Sequence, residues 1–178
     1  VVFSGAAGAK RIYNVIDQPI KINNDKKLPD LKTSECNIKF SNVSFKYENS
    51  NDKAINEINF SIKGGTMAAF VGHSGAGKST IINLLPRFYD PQNGDIYIDS
   101  QNTKSVNLNS LRKSISLVSQ DVILFDSSVK ENILYANADA SEEEFINSCK
   151  FAAAEEFIRE LPQKHKTIIG ENGVRLSG

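Results

Sequence analysis

The sequence predicts an α/β fold in which an antiparallel β portion precedes a central strand, loop and helix, and a helical portion follows them. Three observations support this prediction. Apolar residues alternate with polar ones over 38–62, a glycine-rich loop at 72–77 separates an apolar run from a helical pattern, and helical periodicity begins after Gln120. With 178 residues, the chain is long enough for one domain with some extra chain attached.

The composition excludes several classes of protein. The 21 Lys and Arg residues balance 21 Asp and Glu residues, so no net charge attracts nucleic acid, and we expect no nucleic-acid partner. Cys36 and Cys149 lie far apart, which favours two free thiols in a reducing compartment. Apolar runs are far shorter than the roughly 18 residues that span a bilayer, so the chain itself is expected to be soluble. It lacks a starting Met, which favours a piece of a longer protein.

The first segment predicts a helix end and a linker. Small residues precede Ile12, Val15 and Ile16, which lie at helical spacing. From 17 to 37 the chain is rich in Lys, Asn and Asp and contains two prolines, a composition that is typical of linkers. We therefore place a domain boundary after residue 36.

The next segment predicts antiparallel strands. Apolar and polar residues alternate over 38–47, and a slip at 41–42 predicts a bulge or tight turn. The alternation returns over 58–62 and ends at Gly64 and Gly65, which form a hairpin signal. The continuous apolar run 67–71 predicts a strand that is buried on both faces.

A helix and two further strands follow the glycine-rich loop. Apolar residues from Ile81 to Leu85 lie on one helical side until Pro86 ends the pattern. A turn at 93–94 leads into a short strand at 96–98, and the run 115–118 predicts a second buried strand that ends at Gln120.

Capping boxes predict the helices after Gln120. Ser128 with Glu131, and Ser141 with Glu144, have the spacing at which a hydroxyl and a carboxylate satisfy free amides at a helix start. Two or three short helices are therefore expected, and Pro162 ends the last one. Their predicted buried stripe consists of Phe145, Ile146, Cys149, Phe157, Ile158 and Leu161.

The glycine-rich loop carries the clearest chemistry. It has the pattern G-x-x-x-x-G-K-S between a predicted strand and a helix, the context in which this pattern binds phosphate. Gly75 and Gly77 allow the backbone to direct successive amides into one concavity. The Lys78 ammonium can reach terminal phosphates, Ser79 can bind Mg²⁺, and Thr80 can bond a nearer phosphate oxygen. The predicted nucleotide-binding residues of the loop are Gly72, His73, Ser74, Gly75, Ala76, Gly77, Lys78, Ser79 and Thr80, with Lys78 also a candidate catalytic residue.

The alternative interpretation is a glycine-rich turn that precedes a helix by chance. Gly makes up about 7% of residues in proteins. On the order of one chain in a hundred of this length would therefore contain the pattern by chance. The requirement for a strand before the loop and a helix after it lowers that number further. Nucleotide binding is therefore favoured.

Several segments together resemble the nucleotide-binding domain of ATP-binding cassette (ABC) transporters. Val43-Ser-Phe-Lys-Tyr47 is similar to the first strand of that domain, and the resemblance implies that Tyr47 stacks on the adenine ring of ATP. Stacking supplies affinity without reading base edges, so discrimination among purine nucleotides would be weak. The plainer alternative for Tyr47 is a tyrosine in the core of a sheet.

Ser119-Gln120-Asp121 resembles the Q-loop of the same family. The glutamine amide of that loop contacts Mg²⁺ and the attacking water, and the loop joins the core to a helical subdomain. The resemblance therefore makes Gln120 a candidate catalytic, nucleotide-binding and metal-binding residue, beside Ser79 as the other metal ligand. Without the resemblance, Gln120 would be an ordinary polar residue at a strand end.

The last residues resemble two more elements of the family. Leu176-Ser177-Gly178 is similar to the first three residues of the L-S-G-G-Q signature, so the chain is expected to be truncated within it. The signature closes over the γ-phosphate bound by a second subunit, which makes Ser177 and Gly178 candidate ATP-binding residues. Residues 167–173 resemble the X-loop of exporters, which implies that Glu171 contacts the membrane domain. The alternative for Glu171 is a solvated residue in a turn.

Residues 87–90 and 124–135 resemble the exporter branch, especially bacterial lipid A flippases and multidrug exporters. The implied partners are the transmembrane domain of the same transporter, near Gln120 and Glu171, and a second nucleotide-binding domain in a head-to-tail dimer. The implied location is the cytoplasmic face of the inner membrane. The implied domains are the end of a membrane-domain helix plus linker over 1–36, a β subdomain and P-loop core over about 37–120, and an incomplete helical subdomain over about 121–178.

In the family, hydrolysis needs an aspartate for Mg²⁺, a glutamate general base and a switch histidine, all C-terminal to the signature, and this chain contains none of them. Loss of a general base costs about 10² to 10⁴ in rate, so we expect the chain to bind MgATP and to be inactive alone. A parallel sheet without its later strands would also expose an apolar edge.

Three hypotheses are therefore carried forward. The chain is the ATP-binding portion of an ABC exporter, a non-catalytic truncated nucleotide-binding fragment, or a soluble P-loop kinase or GTPase. The sequence lacks a guanine-reading motif, and the Q-loop and X-loop resemblances speak against the third hypothesis.

Overall fold

The computed structural model describes residues 2–120 and 123–170, in two compact units that divide after Leu117. The first unit contains α1 (Val2–Ile16), β1 (Ile38–Phe45), β2 (Ile55–Ile62), α2 (Lys78–Leu84), β3 (Asn93–Ile98), β4 (Gln101–Asn102) and α3 (Leu108–Lys113). The second contains α4 (Val129–Leu134), α5 (Glu142–Phe151) and α6 (Glu155–Glu160). Short 3₁₀ turns lie at Thr103–Ser105 and Lys164–Lys166. Within the described ranges, no helix is both long and apolar enough to cross a membrane.

The first unit is built on an antiparallel sheet with the strand order β2-β1-β3-β4. In the central strand β1, Phe40 pairs with Phe60 of β2 on one side and with Ile96 of β3 on the other. The pairing shifts between Phe40 and Val43, and Asn42 there has a φ of 50°. The predicted α/β class, its antiparallel portion and the slip at 41–42 are therefore confirmed.

Two apolar clusters hold the first unit together. In the first cluster, α2 packs on the sheet through Leu84, which is fully buried. Its buried members are Phe40, Val43, Phe45, Ile55, Leu84 and Ile96. The second cluster joins Leu31 of the predicted linker to β3 and α3, and its buried members are Leu31, Ile98, Val106, Leu108 and Leu111.

The linker is also held by hydrogen bonds to one carboxylate. Asp99 accepts from the backbone N–H groups of Ser34, Glu35, Cys36 and Asn37 at 2.7, 3.1, 3.0 and 2.8 Å. These backbone donors, that of Ser34 foremost, lower the pKa of Asp99 to about 2. The segment that composition predicts as a linker therefore has no helix or strand over 17–37, yet it is docked on the first unit.

Two predicted strands are wrong. Neither 67–71 nor 115–118 forms a strand, and Met67, Val71 and Val118 are 99%, 90% and 92% exposed. A strand that is buried on both faces belongs inside a parallel sheet and needs a hydrogen-bonded neighbour on each edge. No strand of the described residues pairs with either run, so Met67, Val71 and Val118 face solvent, although Phe70 contacts Phe60 and Ile115 packs against the second cluster.

The second unit confirms both capping boxes. The hydroxyls of Ser128 and Ser141 accept from the N–H groups of Glu131 and Glu144, whose carboxylates accept from the serine N–H groups. These helices bury Phe145, Cys149 and Ile158, as predicted, but Ile146 and Phe157 are exposed. Adjacent residues on a helix point about 100° apart. Ile146 and Phe157 are each next to a buried residue in sequence, so they lie outside the narrow face that these short helices bury.

Both cysteines are free, as predicted. Cys36 is exposed in the linker, whereas Cys149 is buried in α5. Burial, with a smaller contribution from the charge of Glu155, raises the pKa of the Cys149 thiol.

Candidate nucleotide-binding site

The glycine-rich loop has a conformation that depends on glycine at two positions. Gly75 and Gly77 have φ angles of 80° and 85°, in the left-handed region. A Cβ on Gly77 would lie 2.5 Å from the Ala54 carbonyl oxygen, whereas a Cβ on Gly75 would have no atom within 4 Å. The predicted strand before the loop is absent, but the predicted helix begins at Lys78, as the pattern requires.

Lys78 spans the loop from its C-terminal end. Its ammonium donates to the carbonyl oxygens of Gly72 and His73, at 2.9 and 2.7 Å. In the part of the chain that the structure describes, the backbone N–H groups of Gly75 and Gly77 have no protein acceptor. A cation and unpaired amide donors therefore meet in one loop, which is exposed over 72–76 and buried at Gly77, and this donor set suits phosphate oxygens.

The two hydroxyl residues after Lys78 differ in their surroundings. Ser79 is exposed, whereas Thr80 is buried. The Thr80 hydroxyl lies 3.1 Å from the hydroxyl of Tyr47 and hydrogen-bonds with it. This contact joins the loop helix to the end of the first strand, and sequence reasoning does not predict it.

Tyr47 lies two residues beyond β1, and its ring is half-buried. The ring makes edge-on contacts with Phe45 and Tyr89, with centroid distances of 4.8 and 5.2 Å and interplanar angles of 85° and 86°. The structure thus brings together Tyr47, Thr80 and the loop. Sequence reasoning does not assign Tyr89 to this site. The two adjacent aromatic residues between Arg87 and Asp90 are the only feature of the sequence that could have indicated it.

The other predicted site residues belong to the second unit or fall outside the described ranges. Gln120 is exposed and belongs to the second unit. Asp121, Glu171, Ser177 and Gly178 lie outside the described residues. The roles of these residues therefore stay predictions.

The glycine-rich loop leads into a helix through Lys78 and Ser79, and the sheet packs on that helix. This arrangement defines a P-loop nucleotide-binding protein. The ABC transporter family profile matches residues 55–178. The chain belongs to this family, so the resemblance inferred from the sequence is confirmed. The hypothesis of a soluble P-loop kinase or GTPase is set aside, because the matched family is different.

Three known proteins illustrate the similarity. The chain is 43% identical over 178 aligned residues to ABC transporter B family member 2 of Dictyostelium discoideum, covering 98% of this chain and 13% of that protein. It is 45% identical over 174 residues to an ATP-dependent lipid A-core flippase of Legionella pneumophila, covering 98% of this chain and 29% of that protein. A solved bacterial Atm1-family ABC exporter with ATP bound superposes with a TM-score of 0.88 at 37% identity, covering 99% of this chain and 31% of that one.

These similarities confirm the exporter branch that residues 87–90 and 124–135 indicate. They also show that the chain spans less than a third of the length of each of the three proteins.

Proposed function

We propose that the chain binds MgATP and is the ATP-binding portion of an ABC exporter. The complete protein, as a dimer, would couple ATP hydrolysis to the export of a lipid or drug-like substrate. The observation that carries the proposal is the loop 72–77, exposed over 72–76, where the Lys78 ammonium lies against two loop carbonyls beside unpaired amide donors. The names of the relatives, a lipid A-core flippase and an exporter with ATP bound, support the same conclusion.

Each part of the nucleotide would meet a different kind of group. The loop amides and Lys78 would bind the polyphosphate, because a neutral protein attracts an anion only through local charge. Tyr47 would stack on the adenine ring. The Ser79 hydroxyl and the Gln120 amide would hold Mg²⁺, which neutralises phosphate charge when it is bound.

The partners follow from the same proposal. A transmembrane domain would contact the chain near Gln120 and Glu171, at the cytoplasmic face of the membrane. A second nucleotide-binding domain would complete each ATP site, with Ser177 and Gly178 closing on the γ-phosphate of the partner.

Substitution of Lys78 tests the proposal. Lys78→Ala removes a charge-assisted contact worth about 1.5–3 kcal/mol, so the affinity for MgATP should fall by about ten- to a hundredfold. At a MgATP concentration near the wild-type Kd, we expect the ligand to raise the Tm of the wild-type chain and to leave the Tm of Lys78→Ala almost unchanged.

The matched control is Lys113→Ala, which removes an exposed lysine at the end of α3. It should retain the full thermal shift. Equal shifts for the wild type and Lys78→Ala would disprove the assignment of the loop as the ATP site.

A further inference from the structure

We propose that the segment Pro86–Gln92, here called the support loop, positions Tyr47 for stacking, and that Tyr89 and Gln92 are the residues that do so. The inference rests on the proposed function, because it concerns how the base of a bound nucleotide is held. The support loop follows directly from the helix that begins at Lys78, so one segment would connect the phosphate and base ends of the site.

Gln92 fixes the backbone immediately before Tyr47. Its side-chain oxygen accepts from the Lys46 N–H at 2.8 Å, and its side-chain amide donates to the Lys46 carbonyl at 2.8 Å. The Gln92 N–H also donates to the Ser44 carbonyl at 3.1 Å. Because β1 ends at Phe45, the two bonds to Lys46 hold a residue that lies beyond the sheet.

Tyr89 fixes the ring of Tyr47. The two rings meet edge-on at 5.2 Å, and Phe45 contacts both of them, at 4.8 Å from Tyr47 and 5.3 Å from Tyr89. The Thr80 hydroxyl holds the far end of the Tyr47 side chain. Tyr47 therefore has contacts on the ring and at the hydroxyl, while part of its ring stays accessible to a ligand because the residue is only half-buried.

The support loop is itself fixed in place. The buried Arg87 donates through Nε and Nη2 to the two carboxylate oxygens of Asp90, both at 2.8 Å, and through Nη1 to the Thr103 carbonyl. Arg112 of α3 donates to the carbonyls of Pro86 and Arg87, at 3.0 and 2.7 Å. A ring presented from such a support is already ordered before binding, which lowers the entropic cost of association.

The support loop also offers a matched control. Phe88 and Tyr89 are neighbours with similar exposure, 45% and 41%. The Phe88 ring lies under the Arg112 guanidinium, 5.4 Å away, and Tyr89 lies against Tyr47. Substitution of either residue removes an exposed aromatic ring from the same loop, but only one of them contacts the proposed stacking residue.

Isothermal titration of the full chain with MgATP and with magnesium tripolyphosphate, which lacks the base, tests the inference. Tyr89→Ala should weaken MgATP binding by about two- to twelvefold, the value of one aromatic pair. It should leave tripolyphosphate binding unchanged. Tyr89→Leu, which keeps the apolar bulk, should show the same selective loss, and Tyr89→Phe should restore affinity. Phe88→Ala should bind both ligands like the wild type.

Other outcomes separate the inference from the proposed function. If Tyr47→Ala weakens MgATP binding while Tyr89→Ala and Tyr89→Leu match Phe88→Ala, the support loop does not position the tyrosine and the ATP site stands. A parallel loss of tripolyphosphate affinity in the Tyr89 variants would show a general structural role and overturn the inference. If Lys78→Ala and Tyr47→Ala both bind MgATP normally, the proposed function itself fails.

Discussion

Strand β1 and the apolar run 67–71 both contain Phe and Val residues, but their valines have opposite environments. β1 is paired on both edges, and its Val43 is fully buried. The run 67–71 forms no strand, and its Val71 is 90% exposed. Both partners of β1 run antiparallel to it, and β2 is the next strand along the chain, whereas a strand that is buried on both faces needs the neighbours of a parallel sheet, which arrive through crossover connections. An apolar pattern thus indicates a tendency to form a strand, but the strand forms only where neighbouring strands hydrogen-bond with it.

The short helices of the second unit satisfy part of their backbone within a few residues of sequence. α4 and α5 have 6 and 10 residues, lengths that are marginal for isolated helices. Each begins with a capping box that satisfies the first free amides from within three residues of sequence. The first backbone N–H groups of these helices find acceptors within three residues of sequence, whereas those of a strand such as β1 need a second strand.

The largest expected effect is on the free energy of unfolding, and it comes from making the same substitution, Val to Ala, in β1 and in the run 67–71. Val43→Ala removes buried methyl groups and leaves a cavity between the sheet and α2, so it should lower the free energy of unfolding by about 2–3 kcal/mol. Val71→Ala removes methyl groups that already face solvent and should change it by less than about 0.5 kcal/mol. Urea denaturation followed by circular dichroism measures both values.

Val118→Ala serves as a second exposed control, because Val118 is 92% exposed in the other failed strand. A loss at Val71 as large as that at Val43 would mean that the run 67–71 is paired in solution, and the contrast with β1 would disappear.

The elements that were predictable from sequence are those whose determinants lie close together. The strand at 38–45, the part of β3 at 96–98, the helix at Lys78 and both capping boxes follow from alternation, a glycine loop and hydroxyl–carboxylate spacing, although β3 begins at Asn93, where a turn was predicted. The failed strands 67–71 and 115–118 required partners that periodicity does not reveal. Likewise, the docking of the linker depends on Asp99, which lies more than 60 residues away from it.

The candidate site shows the same division. The loop from Gly72 to Thr80 was found from a contiguous pattern, because its backbone donors and its lysine are adjacent in sequence. The contacts of Tyr47 with Thr80 and Tyr89 join residues 33 and 42 positions apart, and no local pattern indicates them. The Q-loop and signature residues were proposed from family resemblance alone, and their arrangement around a nucleotide stays a prediction.

The capping boxes give an effect of intermediate size. Ser141→Ala leaves the Glu144 N–H without its side-chain acceptor, so it should destabilise the second unit by about 1 kcal/mol. Ser148→Ala, at an exposed position inside α5, is the matched control and should lie within about 0.5 kcal/mol of the wild type. Hydrogen exchange of the α5 amides reports both variants. Equal protection in the two would show that α5 depends on packing rather than on its cap.

The smallest expected effect concerns Asp99, where a side chain rather than a strand satisfies the backbone. Because its folded pKa, about 2, lies below the ordinary value of 3.8, docking of the linker should be fully stabilised above about pH 4. That contribution should be lost as the pH falls toward about 2.

Asp99→Asn is the suitable variant, since Asn tolerates the φ of 46° at this position. At pH 6 the variant should lower the hydrogen-exchange protection of the amides of residues 34–37, and the difference from the wild type should shrink between pH 4 and pH 2. The amides of Phe40 and Ile96, within the sheet, provide the internal control and should be unaffected. A difference that stays constant down to pH 2 would mean that the carboxylate charge does not hold the linker, and that other contacts, such as the burial of Leu31 and the bond from its N–H to the Ser110 hydroxyl, dock it.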